Sequence, residues 1–165
     1  RMGQQKNQHR RVHQKAVRLG QSKRRRNQET GSKALSPTLP GDVTPELDAD
    51  TPVFRAYDDT SLQIGNDRFN TGLLVHHGHV IAPWGPERIS GLMPEHLAHI
   101  LESPPQVLLI GTGRTTSFPN AAVFETLETA HIGVECMDTR AAARTYNILV
   151  AEGRHVAAAM LPPGV

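Results

Sequence analysis

The chain has 165 residues, 38% of them apolar, which gives room for one ordinary domain and an appendage but not for two full cores. No apolar run approaches the roughly 20 residues that cross a bilayer, and no signal-type apolar core opens the chain, so it reads as soluble and unsecreted. The single Cys136 excludes an internal disulfide and any zinc site with two thiolates, and the net charge of +2 averages two very different halves.

Residues 1–33 hold eleven of the eighteen Lys and Arg against one acid, Glu29, for a net +10. Residues 34–165 hold seven Arg and fifteen acids, for a net −8. The segment Arg1–Lys33 is Gln- and Arg-rich, and its few apolar residues (Val12, Ala16, Val17, Leu19) are too sparse to offset ordering entropy. Ser36-Pro37-Thr38-Leu39-Pro40-Gly41 and the acidic stretch Asp42–Asp50 follow as a linker. Residues 1–50 therefore read as a disordered basic arm with a Pro-rich acidic linker, and residues 51–165 as a single α/β domain. The run Lys23-Arg24-Arg25-Arg26 suits three roles: electrostatic contact with nucleic acid, an Arg-rich targeting peptide, or a solvated tail.

Strand chemistry opens the domain. Val53–Tyr57 and the alternating Ser61–Gly65 predict two strands, with turn residues at Gly65-Asn66-Asp67. Arg68–Val75 and His79–Ala82 flank the turn His77-Gly78, so this half reads as an antiparallel β-meander ending at Trp84-Gly85-Pro86. The rhythm then changes. Met93, Leu97, Ile100 and Leu101 share a helical face, Val107–Ile110 is a doubly covered strand, and Pro119 opens a helix with Val123, Phe124, Leu127 and Ala130 inward. Ile132–Met137 is the next strand. Asp138 or Thr139 caps a third helix with Ala142, Tyr146, Leu149 and Val150 as its stripe, and His155–Leu161 is the last strand. Strand, helix, strand, helix, strand demands crossovers, so at least the first two strands should be parallel.

Gly111-Thr112-Gly113 ends the buried strand and leads through Arg114 toward a helix, a place where free N–H groups favour an anion. The spacing matches neither a dinucleotide fingerprint nor a P-loop, so two glycines in a tight turn also read as simply structural. Thr139 should share that rim. Arg144 and Asn147, three residues apart on the same helix side, serve either as an anion clamp or as a carboxylate pair and a backbone tie. His76-His77 with His79, and His96 with His99, form pairs only, short of the three or four converging ligands a metal needs. Asp58-Asp59 reads as a solvated acidic turn, and Cys136 as a small hydrophobe. No catalytic constellation stands out, and no cofactor motif is present.

Four segments in order carry a resemblance: Val107–Gly113, Gly133–Thr139, Ala141–Leu149 and Glu152–Ala159, supported upstream by Ile64-Gly65, Phe69 and Trp84. Together they resemble the bacterial and archaeal domain-of-unknown-function family whose mitochondrial member is NADH dehydrogenase (ubiquinone) complex I assembly factor 3. The resemblance spans about Val53–Leu161 and leaves residues 1–50 outside. It implies a three-layer α/β fold: a mixed central sheet, a Rossmann-like strand-helix-strand-helix-strand C-terminal half and the N-terminal meander. It implies no established enzymatic activity and no cofactor, and protein partners in respiratory-complex assembly. A bacterial member would work in the cytoplasm, a eukaryotic one on the mitochondrial matrix side. The family's glycine turn and helix carry over to Gly111, Thr112, Gly113, Thr139, Ala142, Arg144, Thr145, Tyr146 and Asn147. With Arg114 added from the chain itself, Gly111, Thr112, Gly113, Arg114, Thr139, Arg144 and Asn147 are the candidate ligand or partner site.

Overall fold

A computed structural model describes Ala16–Val17 and residues 47–165 of the chain. Its centre is a strand whose two faces are both dry. In β7 (Val107–Gly111), Leu108 and Ile110 enter one apolar cluster and Leu109 enters the other. A strand needs an uninterrupted apolar run only when layers cover it on both sides.

The other elements are β1 (Ala16–Val17), β2 (Phe54–Tyr57), β3 (Leu62–Ile64), β4 (Asp67–Phe69), β5 (Leu73–His76), β6 (His79–Ile81), α1 (Ala98–Glu102), α2 (Ala121–Thr129), β8 (Gly133–Met137), α3 (Thr139–Ala151) and β9 (Val156–Met160). The main sheet has the order β1-β6-β5-β9-β7-β8. Strand β7 pairs in parallel with both β8 and β9, as two helical crossovers require. On the other side of β9 the direction reverses, with β5, β6 and β1 added antiparallel.

The predicted meander is divided between two sheets. Strands β2, β3 and β4 form a separate three-stranded antiparallel sheet, while β5 and β6 join the main one. The two-residue turn His77-Gly78 has φ of 48° and 73°, the doubly positive geometry that matches strand twist in a tight hairpin. Residues 1–50 were expected to lie outside the domain. Ala16–Val17 pair with Ile81 and Val80, and residues 1–15 and 18–46, with most of that expectation, lie outside the described residues.

Three layers result. On one face of the main sheet, Val123 and Leu127 of α2, with Leu97, Ile100, Trp84 and Leu92, cover Leu108, Ile110, Ala157 and Ala159. On the other, Ala142, Ala143 and Tyr146 of α3, with Phe54, Leu62 and Ile64 of the small sheet, cover Leu109, Ala158 and Met160. Ala158 of β9 faces Ala142 and Ala143 of α3, so small side chains on both sides let helix and sheet approach closely. Helix boundaries follow the caps rather than the prolines. Helix α2 starts at Ala121, capped by Asn120 Oδ1 accepting from Val123 N at 3.2 Å, and not at Pro119. The helix expected around Met93–Leu101 begins as a 3-10 turn, Pro94–Leu97, and becomes α-helical only at Ala98. Asp138 caps α3 through Ala141 N at 3.0 Å.

Candidate functional site

The turn after β7 is bound on every side. Added at Gly111, a Cβ would meet Met160 Sδ at 2.5 Å and Thr139 Oγ1 at 3.0 Å, so a larger residue there would force Met160 or Thr139 to shift. Gly113 sits at φ 100° against the Val165 carbonyl, a conformation and a contact that only glycine tolerates. Thr112 N donates to Met137 O at 2.9 Å, Gly113 N to Thr139 Oγ1 at 2.9 Å, and Arg114 N to Val165 O at 2.7 Å. The Thr112 hydroxyl donates to Thr115 O at 2.7 Å and accepts from Ser117 N at 3.0 Å. Three successive N–H groups that could have cradled an anion are thus each engaged by protein.

Thr139 is the centre of this knot. It is fully buried, and its hydroxyl accepts from Gly113 N while donating to Leu161 O at 2.8 Å. Its own N–H returns to Gly113 O at 2.9 Å, and Leu161 N donates to Gly111 O at 2.9 Å. One hydroxyl therefore ties together the end of β7, the start of α3 and the end of β9.

Arg144 and Asn147 lie further along α3 and face β2. Arg144 Nη1 donates to Tyr57 Oη at 2.6 Å, with the guanidinium 5.8 Å from the ring centroid. Asn147 accepts from Phe54 N at 2.9 Å and donates to Phe54 O at 2.7 Å, so its amide replaces a strand neighbour where the β2–β3 register is irregular. A space of about 40 Å³ beside them has room for little more than a water. Gly111, Thr112, Gly113 and Thr139 are brought together, with the Arg114 backbone at the edge. Among the described residues, no hydrogen bond joins Arg144 or Asn147 to that turn.

The acidic turn is more built than expected. Asp58 accepts from Thr60 N at 2.8 Å and Ser61 N at 2.7 Å and pairs with Arg68 at 2.5 Å; the Thr60 N–H, more than any other bond, draws its carboxyl down to about 2. Asp59 pairs with Arg140. Burial, helped by Glu135, pushes the Cys136 thiol up to about 11, which makes it a poor nucleophile.

Two clefts were not legible in the chain. The larger, about 670 Å³, is lined by Trp84, its flanking residues, the Asn70–Gly72 loop and the Pro162–Val165 segment. Its only signal in the sequence was the cluster Pro83-Trp84-Gly85-Pro86. The smaller, about 310 Å³, gathers His76, His77 and His155. His76 is 8% exposed and its Nε2 has no partner among the described residues; burial first, and then His77, hold its pKa below 6.5. His77 shares a 2.7 Å hydrogen bond with Ser103 Oγ, and its ring lies 4.1 Å from that of His76 and 5.1 Å from that of His155. Among the described residues, no three His, Cys, Asp or Glu side chains are grouped to hold a metal ion.

The model of a family described as "Protein of unknown function (DUF498/DUF598)" matches residues 54–161. Over 85 residues the chain is 39% identical to the Danio rerio protein named NADH dehydrogenase (ubiquinone) 1 alpha subcomplex assembly factor 3, covering 50% of this chain and 49% of that one. The chain thus spans about half the length of that relative. A crystal structure of a Bordetella parapertussis protein superposes with a TM-score of 0.63 at 36% identity, covering 68% of this chain and 96% of that chain. A Bordetella pertussis solution structure, described as an Mth938-like domain, gives 0.61 at 28% identity and covers 81% and 94%. These neighbours share the three-layer mixed α/β architecture expected from the sequence.

Proposed function

The chain belongs to the DUF498/DUF598 family of proteins of unknown function, and from that membership we propose that it is a non-catalytic interaction module that holds an intermediate of respiratory complex I assembly. The observation that carries this is the 39% identity to a protein named as a complex I assembly factor. A site occupied with its own hydrogen bonds supports the same reading, because the family's signature residues serve the scaffold and leave the surface to recognise partners. Large apolar side chains stand out on that surface. Phe118, between β7 and α2, is 67% exposed, and Met93 is exposed as well. Asn120 Nδ2 donates to Leu92 O at 2.9 Å and so brings their two segments together. Exposed aromatic and Met side chains are typical anchors of protein interfaces.

No helix among the described residues is long and apolar enough to cross a membrane. On the assembly reading, a partner would be met at a membrane face, in the cytoplasm of a bacterium or on the matrix side of a mitochondrion. Tagged protein recovered from native membranes should co-purify respiratory subunits, and Phe118→Ser with Met93→Ser should weaken recovery. Absence of any respiratory subunit, with normal complex I levels in a deletion strain, would refute the role.

A further inference from the structure

The 670 Å³ cleft lies outside the four signature segments, with Trp84 in its lining, and it is built rather than incidental. It sits at the end of the sheet where β9 ends and β5 begins, two interior strands at which the pairing changes from parallel to antiparallel. The carboxyl ends of strands are where open α/β sheets commonly place ligands, and one wall of this cleft follows the carboxyl end of β9. The volume falls within the roughly 300–1,000 Å³ of small-molecule sites.

Its walls are held independently of any ligand. Trp84 is 6% exposed and fixed twice, its backbone N donating to Gly72 O at 2.7 Å and its indole Nε1 to His96 O at 2.9 Å. A Cβ at Gly72 would strike the Trp84 carbonyl, so the two backbones are in direct contact. The opposite wall, Pro162–Val165, is clamped by Arg114 N on Val165 O at 2.7 Å and reaches the Thr139 knot through Leu161. A purpose for the glycine turn follows: it holds this wall in place.

The lining is mixed, with an apolar part from Pro83, Trp84, Pro86, Pro162 and Val165, the polar Asn70 and Thr71, and adjacent opposite charges at Glu87 and Arg88. Among the described residues neither charge has an ion-pair partner. A purely anionic ligand would face Glu87 and a purely cationic one Arg88, whereas a ligand with both charges satisfies both.

We propose that this cleft binds a small zwitterion with an apolar body, of the class of apolar amino acids and their short peptides, with its carboxylate on Arg88 and its ammonium on Glu87. This goes beyond the assembly role and does not depend on it. Trp84 is the chain's only tryptophan and one of the residues lining the cleft, so its emission reports a change in that wall. The full chain is titrated with leucine, phenylalanine and Leu-Leu, beside N-acetyl-leucine, leucinamide and octanoate. The zwitterions should shift Trp84 emission saturably, and each singly charged analogue should bind about tenfold more weakly. Arg88→Ala and Glu87→Ala, both at exposed positions, should each weaken zwitterion binding by about the same factor. Octanoate binding as well as leucine, or Arg88→Ala and Glu87→Ala leaving affinity unchanged, would overturn the charge assignment. The proposal falls outright if no zwitterion shifts the emission at millimolar concentration. An unchanged respiratory-subunit pull-down with Arg88→Ala would show that a failure here leaves the assembly reading untouched.

Discussion

Replacing Thr139 by Val keeps the side chain's shape but removes the hydroxyl that accepts from Gly113 N and donates to Leu161 O. Both partners would be left buried without a mate, at about 1–3 kcal/mol for each unsatisfied group. Thr139→Val is therefore expected to lower the unfolding free energy by about 2 kcal/mol or more, and Thr139→Ser to stay near the parent, measured by urea denaturation. Equal stability of the two variants would mean the knot is not held by this hydroxyl. His76 predicts a pH effect of definite sign. Its pKa lies below 6.5 in the folded chain, so the unfolded chain takes up the proton first on acidification. Its stability contribution is fully present above 6.5 and is lost as pH falls from there through the folded pKa. His77, His99 and His155 oppose its protonation, and Arg154 lines the same cleft, so the surroundings offer the new charge no carboxylate. Denaturation midpoints measured downward from pH 7 should fall less steeply for His76→Gln than for the parent; parallel curves would exclude His76 as the cause.

Helix α3 is the element on which two layers depend. Its inner face packs Ala142, Ala143 and Tyr146 on β7 and β9, while Asn147 completes the backbone of β2. Asn147→Leu would leave Phe54 N and O unpaired at the edge of the three-stranded sheet. Hydrogen exchange across residues 54–64 is expected to accelerate, while exchange in β7 keeps its protection because Leu109 and its neighbours lose nothing. Faster exchange in both regions at once would show that the two sheets unfold as one unit. Elements of this kind were legible to very different degrees. Val107–Ile110 is legible because a doubly buried strand writes its environment into every residue, and the cap of α3 to within two residues, Asp138 or Thr139, because a cap must be a short acceptor next to the first turn. The glycine turn was legible in place but not in role: whether its N–H groups face a ligand or a neighbouring loop depends on Val165 and Thr139, distant in the chain. The division of the meander between two sheets, the amide of Asn147 on Phe54 and the cleft at Trp84 are all products of tertiary contact. Periodicity holds no trace of them.

For the whole molecule the governing asymmetry is electrical. Residues 1–33 carry +10 and residues 34–165 carry −8, so a pI near 9.0 describes neither part. The candidate site and both clefts lie within the acidic part. Any nonspecific contact with a polyanion must therefore come from the arm, since the remainder would repel it. Removing residues 1–33 should move the protein from retention on a cation exchanger at pH 7 to retention on an anion exchanger. The truncated chain loses the two-residue edge strand β1 but should still fold, because 68% of this chain accounts for 96% of a solved relative. If the arm contacts nucleic acid, binding of the intact chain to duplex DNA should weaken with salt along a straight log–log line whose slope is about 0.9 per phosphate contact. The truncated chain should show no such binding at any salt concentration. Retained binding after truncation would place a nucleic-acid surface on the acidic part, against its charge, and would demand a contact set unlike any described for it. Loss of DNA binding with an intact respiratory-subunit pull-down would separate the two halves: the arm as the electrostatic element, and the α/β domain as the one that recognises its protein partner.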